Sequence, residues 1–388
     1  MTVSRRPTPV LYAHSSSLIG GGNKVLLSLF ESIDRARFRP VSVVPGAGPL
    51  EQYLDDRQVP HFIADLRPSA RGRVSTLRHA AQLAWQCLAR GIQLVHANDP
   101  VTYRVTSLAA TLCGADRVCH IHHPSLDPAS LAWSFKRPPH LVLTPSDFMR
   151  RQVLDCLAEG SGTRVERAWN PIDADWFHPA ADRAALRGTL GLAPLAHHVN
   201  ITAALTPHKG QVCFLRMARE VLARRPDTMF HVVGSAQSGQ TLYAEQLRSL
   251  AAELGISQQV KFWGFVPDEV LRDLMRASDV FVLPTREEGF GLSVAEAQAC
   301  EVPVLTSAIE PLNEVVDAGR TGYLIDPDDF TTFAARTIDL LGSEPQRIAM
   351  GRAGRQWVVA RFGKRACAAG IEVLYDEVRS RKTRDHVA

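Results

Sequence analysis

DVFVLPTREEGFGLSVAEAQACEVPVLT, residues 279–306, decides the fold. Val280–Leu283 is a short apolar run that ends at a proline, as a buried strand does. Pro284–Gly291 reads as a loop, a helical pattern follows from about Leu292 to Cys300, and a new apolar run starts near Pro303. Strand, loop, helix and strand in such short order mean neighbouring parallel strands. Ligands of such sheets bind beyond the carboxyl ends of the strands, so the loop is where chemistry is expected. Glu288 stands at the mouth of the strand, and Glu296 lies inside the helix. Gly289 and Gly291 let backbone come close to a ligand. The helix start offers unpaired N–H groups and a positive dipole end, which suit phosphate.

The same alternation extends in both directions. Pro9–His14, Pro40–Val44, Leu94–Ala97, Arg117–Ile121 and Leu141–Thr144 read as strands, with a helix from about Asn23 to Ile33. The pattern restarts with strands at Val199–Ala204, Met229–Val233 and Val260–Trp263, and helices at about Gln211–Arg224 and Leu242–Leu254. A last helix covers about Lys364–Lys382. Between the halves lies the Pro- and Ala-rich stretch Asn170–Ala196. The expected division is a first domain at 1–180, a linker at 181–196, a second domain at 197–363 and a C-terminal helix at 364–388 that packs back on the first domain.

At 388 residues the chain has room for two such domains. Apolar residues at 45% and charged residues at 22% exclude wholesale disorder. A net charge of +4 is too mild to call for nucleic acid. Residues 1–180 hold 20 Lys/Arg against 15 Asp/Glu, so the first half is the basic one. That balance suits an anionic acceptor or membrane face, and equally a solvated Arg-rich surface. The seven cysteines include no C-x-x-C pair, which fits free thiols in a reducing compartment. No apolar run reaches the ~18 residues of a membrane span, and the N-terminus lacks a signal-peptide core. A cytoplasmic location is expected, with the inner membrane face as an option.

Two glutamates around a GFG core, in PTREEGFGLSVAEAQACEVPVL, resemble the motif of the retaining glycosyltransferases of family 4. That family has the GT-B fold, two Rossmann-like doubly wound domains facing each other across a cleft. The resemblance runs through nearly the whole chain. It implies a metal-independent transferase that moves a hexose-type sugar from a UDP- or GDP-sugar to an acceptor hydroxyl. The acceptor would be a glycan, a lipid-linked molecule or a small metabolite. It implies a first domain on the acceptor side, a second that binds the nucleotide sugar, and no cofactor, metal or nucleic acid.

Site residues follow residue by residue. Glu288 would contact hydroxyls of the donor sugar, and Glu296 the nucleotide ribose. LTPHKG, residues 205–210, resembles the family's phosphate-binding turn, with Lys209 as the lysine that clamps the diphosphate. The family's arginine five positions earlier is replaced by Ala204, with His208 a candidate substitute. Gly289, Phe290, Gly291 and Leu292 would also meet the diphosphate, as would Gly21 and Gly22 of the first domain. Gly264, Phe265 and Val266 would frame the base, and His231–Gly239 match the strand and Gly turn before them. In RVCHIHHPSL, His122 would be catalytic beside Glu288, with His123 the alternative. Three histidines so close could also suggest a metal, but no carboxylate or further His follows at ligand spacing. Ser146 reads as a helix cap. Asp173 and Asp175 match a metal-binding D-x-D only superficially, because that motif belongs after a strand within a single domain and this pair lies in the expected linker. Arg67–Arg78 would suit an acceptor anchored at a membrane. A nucleotide-sugar epimerase of the same fold, or a non-catalytic nucleotide-sugar-binding homologue, are the alternatives.

Overall fold

The structure is a computed structural model that describes residues 6–66, 73–123, 127–158, 160–236 and 241–385. Residues 67–72 of the Arg-rich stretch, 124–126 after the histidines and 237–239 of the Gly turn lie outside the described residues. The chain forms two compact units, Met1–Pro171 with Lys364–Ala388, and Ile172–Gly363.

Among the described residues the first unit is built on seven strands: β1 (Thr8–Ala13), β2 (Phe38–Val44), β3 (His61–Ile63), β4 (Leu94–Ala97), β5 (Asp116–His120), β6 (Leu141–Thr144) and β7 (Arg164–Arg167). They pair in parallel in the order β3-β2-β1-β4-β5-β6-β7. The described residues of the second unit form six: β8 (His197–Thr202), β9 (Thr228–Val233), β10 (Val260–Gly264), β11 (Val280–Leu283), β12 (Val304–Ser307) and β13 (Gly322–Ile325), in the order β10-β9-β8-β11-β12-β13. Among the described residues all strand pairings of both sheets run parallel, with neighbours such as β8 and β11 in register at Val199–Val280. Each unit is therefore a Rossmann-like doubly wound sheet. The strand order reverses once in each, at β1/β4 and at β8/β11. Loops leaving those neighbouring strands part in opposite directions and open a crevice at the carboxyl edge.

Three strands escape the sequence reading: β3, β7 and β13. All three are sheet edges. Edge strands are short and tolerate polar residues, so RVER and the three-residue HFI carry no apolar run to find.

The stretch expected as a linker folds with the second unit. Its residues 183–189 form a helix, and Leu186, Leu190 and Leu192 pack with Val233, Leu274 and Ala277. Arg187 anchors it. Its guanidinium donates to the carbonyls of Ala277 (2.9 Å), Pro194 (3.2 Å) and Ala196 (3.2 Å) and to Asp279 Oδ2 (2.7 Å). Asp279 also accepts the His198 N–H at 2.8 Å. Burial alone would raise its pKa, but His197, Arg187 and that N–H hold it down at about 2. The chain enters this unit at Ile172, whose N–H donates to the Phe362 carbonyl at 2.7 Å. Residues 172–180 thus belong here too, nine residues earlier than the expected boundary, because Arg355 also donates to the carbonyls of Phe177 and Ala174.

The last helix, Lys364–Asp385, lies in the first unit. Ala368, Ile371, Tyr375 and Val378 join the core around Tyr12, Phe30 and Phe38. Glu372 accepts from the Asp34 N–H at 2.7 Å and from Arg37.

Arg187→Leu leaves Asp279 buried with its main charge partner gone. The expected loss is about 3–5 kcal/mol of second-unit stability, read as a lower urea midpoint. An unchanged midpoint would remove Arg187 from this role.

Candidate functional site

In the second unit the crevice is made by the loops after β8 and β11. Gly210 takes the left-handed conformation, φ 75°, at the end of a 3₁₀ turn over Pro207–Lys209. A Cβ there would stand 1.8 Å from the Pro284 carbonyl oxygen, so only glycine lets the two loops touch. They are then laced together. The Arg286 N–H donates to the His208 carbonyl at 2.7 Å, and the buried Thr285 hydroxyl reaches the carbonyls of His208 (3.1 Å) and Glu287 (2.9 Å).

This lacing brings Lys209 onto Glu288. Lys209 Nζ donates to Glu288 Oε1 at 2.7 Å and to the Glu287 carbonyl at 3.2 Å. Both side chains are mostly shielded, at 19% and 14% exposure, so the ammonium and the carboxylate hold one another in defined positions. A cation and a carboxylate side by side at a switch point can hold a phosphate and hydroxyls next to it.

Gly289 follows, and Gly291 (φ 97°) starts the helix Leu292–Ala299, whose first turn has no side-chain cap. The Phe290 ring is buried edge-on against Phe362, with centroids 5.2 Å apart, so the side chain anchors the turn and leaves its backbone as the part of the residue that can face a ligand. Glu296 is half-buried in the second turn, between buried Ala295 and Ala297. The end of β10 is tied to the end of β9 by the Gly234 N–H, which donates to the Gly264 carbonyl at 3.0 Å. Gly264 has φ 68°, and the next residue, Phe265, is 84% exposed. At Ala204, where the family has arginine, the carbonyl accepts from Gln211 Nε2 at 2.9 Å. The His208 ring lies against the Thr206 hydroxyl at 3.3 Å.

In the first unit the loops after β1, β4 and β5 enclose a cavity of about 550 Å³. Gly20–Gly22, Asn98 and His122 are among its walls. The helix Gly21–Ser32 starts there without a side-chain cap. Gly22 lies so close to His122 that a Cβ would meet the imidazole Cδ2 at 3.1 Å.

His122 belongs to a network that the sequence reading missed. Its Nε2 is 2.7 Å from Asn98 Oδ1, Asn98 Nδ2 donates to Asn23 Oδ1 at 3.0 Å, and His14 Nδ1 reaches the same oxygen at 2.9 Å. Asn23 Nδ2 donates to the carbonyls of Leu18 and Ser16, which fixes the glycine turn. Both Asn Nδ2 groups are donors, so consistent assignment makes His122 Nε2 and His14 Nδ1 the protonated nitrogens of neutral rings. The only hint in the sequence was position: Asn98 follows a strand at the switch point and Asn23 sits in the first helical turn.

Desolvation keeps these rings neutral. It pushes His122 down to about 3, helped by His123, and His14 to about 4 against the Asn23 bond. Behind them, the His120 ring lies tilted against His122, with centroids 4.1 Å apart, and against His96 at 5.3 Å, and His96 bonds Tyr375 of the C-terminal helix. Burial lowers His96 to about 3 and takes His120 well below the usual range. His123 is exposed on the cavity wall.

Two other expectations can be placed. Ser146 caps its helix by accepting the Met149 N–H at 3.2 Å. Asp173 accepts the N–H groups of Asp175 and Trp176, both at 3.1 Å, which is an Asx turn. Among the described residues no cluster of His, Cys, Asp or Glu forms a metal-ligand group, and no helix is long and apolar enough to cross a membrane.

With this geometry in hand, comparison with known proteins gives two family models. "Glycosyltransferase Family 4" matches residues 19–176, and "Glycosyl transferases group 1" matches 199–357. A D-inositol 3-phosphate glycosyltransferase of Corynebacterium jeikeium is 36% identical over 211 residues, 53% of this chain and 50% of that one. A GDP-mannose-dependent alpha-(1-6)-phosphatidylinositol monomannoside mannosyltransferase of Mycolicibacterium smegmatis is 33% identical over 225 residues, 56% and 57% of the two. The chain thus spans about half the length of the curated relatives it matches. Among solved structures, Anabaena Alr3699/HepE in complex with UDP and glucose superposes with a TM-score of 0.82 over 95% of this chain and 99% of that one, at 21% identity. The glycosyltransferase from Rickettsia africae gives 0.82 over 96% and 99%, at 17% identity. At such identities the likeness is one of fold.

The buried neutral histidines predict an acid-labile first unit. Unfolded, each binds a proton below its ordinary value of 6.5; folded, His14, His96 and His122 do not until pH falls to 3–4. Their contribution is whole above pH 6.5 and shrinks as pH drops, by up to about 1.4 kcal/mol per unit for each ring. Urea unfolding at about pH 7, 6 and 5, where carboxylates stay ionised, should show this fall. A flat profile would count against it.

Proposed function

The chain belongs to glycosyltransferase family 4, and on that premise we propose that it transfers a sugar from a nucleoside diphosphate to an acceptor hydroxyl, with retention at the anomeric carbon and without a metal ion. The observation that carries this reading is the Lys209–Glu288 pair at the β8/β11 switch point.

In this reading Lys209 holds the diphosphate and Glu288 turns from the ammonium to the donor's hydroxyls. The uncapped turn at Gly289–Leu292 adds backbone N–H groups where negative charge grows on the leaving phosphate. The C1–O bond to the diphosphate breaks, the acceptor oxygen bonds C1 on the same face, and its proton passes to the leaving phosphate. Glu296 takes the ribose. Gly264 and Val266 frame the base through their backbone, and exposed Phe265 borders it. Gly21 and Gly22 offer a further phosphate seat in the first unit. Neutral His122, a donor through Nε2 to Asn98, orients sugar or acceptor hydroxyls as the catalytic histidine. The donor is a UDP- or GDP-sugar; the relatives and neighbours named above support both bases.

A lipid-linked acceptor at a membrane face is supported by the helix Arg73–Ala89. Leu77, Trp85 and Leu88 share one side of it and are 56%, 65% and 62% exposed. Trp85→Glu should then weaken binding to vesicles containing anionic lipid several-fold by sedimentation, with the melting temperature unchanged. Equal binding by both proteins would dismiss the membrane contact.

Lys209→Ala and Glu288→Ala should each abolish transfer while keeping the wild-type circular dichroism spectrum. Lys209→Ala should also lose the thermal shift given by UDP or GDP, a stabilisation of about 2.7 kcal/mol at one hundred times the dissociation constant. Wild-type turnover in either variant would refute the assignment.

A further inference from the structure

The helices Arg73–Ala89 and Pro100–Cys113 pack side by side on one face of the first sheet. Each returns from the carboxyl edge of one parallel strand to the amino edge of the next, so the two run in the same direction. Their last turns therefore meet at the amino edge, away from the loops after β1, β4 and β5. In the first helix Ala80, Leu83, Ala84 and Cys87 recur at helical spacing and are buried. In the second, Thr106, Ala109 and Ala110 are buried, and Cys113, one turn further, is half-buried. Cys87, Ala84, Ala109 and Ala110 share one core cluster, and Cys113 packs against it. Side chains this small let the helix ends come close.

Two sulfurs meet there. The Cys87 thiol hydrogen-bonds the Cys113 sulfur, and the Cys113 thiol donates to the Ala110 carbonyl at 3.5 Å. Both are free thiols in this structure. They differ in exposure: Cys87 is fully buried, whereas solvent reaches Cys113. The bond to Cys113 and burial push the Cys87 thiol up, against a weaker pull from Arg90. Cys87 thus keeps its proton, and its S–H favours the thiolate of the accepting sulfur. That is the arrangement of an accessible nucleophilic thiol with a resolving thiol behind it. Sulfurs already in contact need side-chain rotation to reach the ~2.05 Å of a disulfide.

We propose that Cys87 and Cys113 form a redox-modification site, at which a low-molecular-weight disulfide such as oxidised glutathione makes an intramolecular disulfide that staples the two helices. Cys113 loses its proton to solvent and its sulfur attacks the external disulfide. The external S–S bond breaks, and one glutathione leaves as its thiolate. Cys87 then gives up its proton, its sulfur attacks the Cys113 sulfur of the mixed disulfide, and the second glutathione leaves. Two protein thiols lose two electrons in all, and one external disulfide gains them. Excess reduced thiol reverses both steps, so in a reducing compartment the bond is a switch and not a permanent brace. The inference stands apart from the transfer reading, because the pair lies at the opposite edge of the sheet from the loops that build the site.

The test incubates the folded full chain with graded mixtures of reduced and oxidised glutathione, blocks remaining thiols by alkylation and digests without reduction. Mass spectrometry should find the peptide of Cys87 joined to that of Cys113. The melting temperature of the oxidised protein should rise by about 5 °C, because the bond closes the segment 87–113 in the unfolded chain, and dithiothreitol should cancel the rise. Cys87→Ala, a small change among buried alanines, should stop at one glutathione on Cys113. Cys113→Ser should give neither an adduct at this site nor the thermal rise. Should a variant fail to fold, the wild-type peptide map decides by itself. The proposal is overturned by glutathione that stays on wild-type Cys113 without a cross-link, by a bond joining other cysteines instead, by full alkylation of both thiols in every mixture, or by a cross-link with no thermal rise.

Discussion

Backbone contact between Gly210 and Pro284 organises the second unit's site. The contact exists because β8 and β11 are neighbours in the sheet although far apart in the chain. Their loops touch at the strand ends before parting, and a Cβ at position 210 would hold them apart. Once they touch, the Thr285 hydroxyl and the Arg286 N–H fix the His208 carbonyl, and the next residue, Lys209, places its Nζ 2.7 Å from Glu288 Oε1. The charge pair thus follows from a steric condition. It is also a modest interaction by itself, since each partner retains some solvent contact. Its value lies in placing a cation and an acceptor oxygen together before any ligand arrives.

The first unit reaches comparable order by a different means. Among the described residues its polar centre is a chain of neutral groups running from His14 through Asn23 and Asn98 to His122. Desolvation holds the imidazoles uncharged, and the amides then set which nitrogen carries the proton. The same Asn23 holds the glycine turn through the Leu18 and Ser16 carbonyls, so histidine and turn cannot move independently. Behind them the tilted, contacting rings of His120 and His96 lead to Tyr375 on the helix Lys364–Asp385. The C-terminus thereby supports a site built by the N-terminal half.

Much of this was readable in the residues. Fully buried strands such as LVHA, LVLT and VFVL appear where their apolar runs fall, because both faces of a parallel strand are covered. That the glycine turn, Lys209 and Glu288 stand just after strand ends was legible because that placement is local; the roles given to them came from the family resemblance. Edge strands were not, since RVER has nothing apolar to mark it. Nor was the allegiance of residues 172–196, which depends on Arg187 reaching Asp279, 92 positions away. Phe290 reads as part of a ligand loop, but its ring turns inward to Phe362.

The sequence by itself determined the alternation of strands and helices, the two-domain plan and the residue types gathered at strand ends, since each follows from periodicity and turn chemistry within short windows. Tertiary structure alone decided the strand order, and with it which loops share a crevice. It also decided that Asn98 and Asn23 meet His122, that the Cys87 and Cys113 thiols touch, and that Lys209 rests on Glu288. These are contacts between segments distant along the chain, and only the packing of strands side by side fixes which distant segments become neighbours.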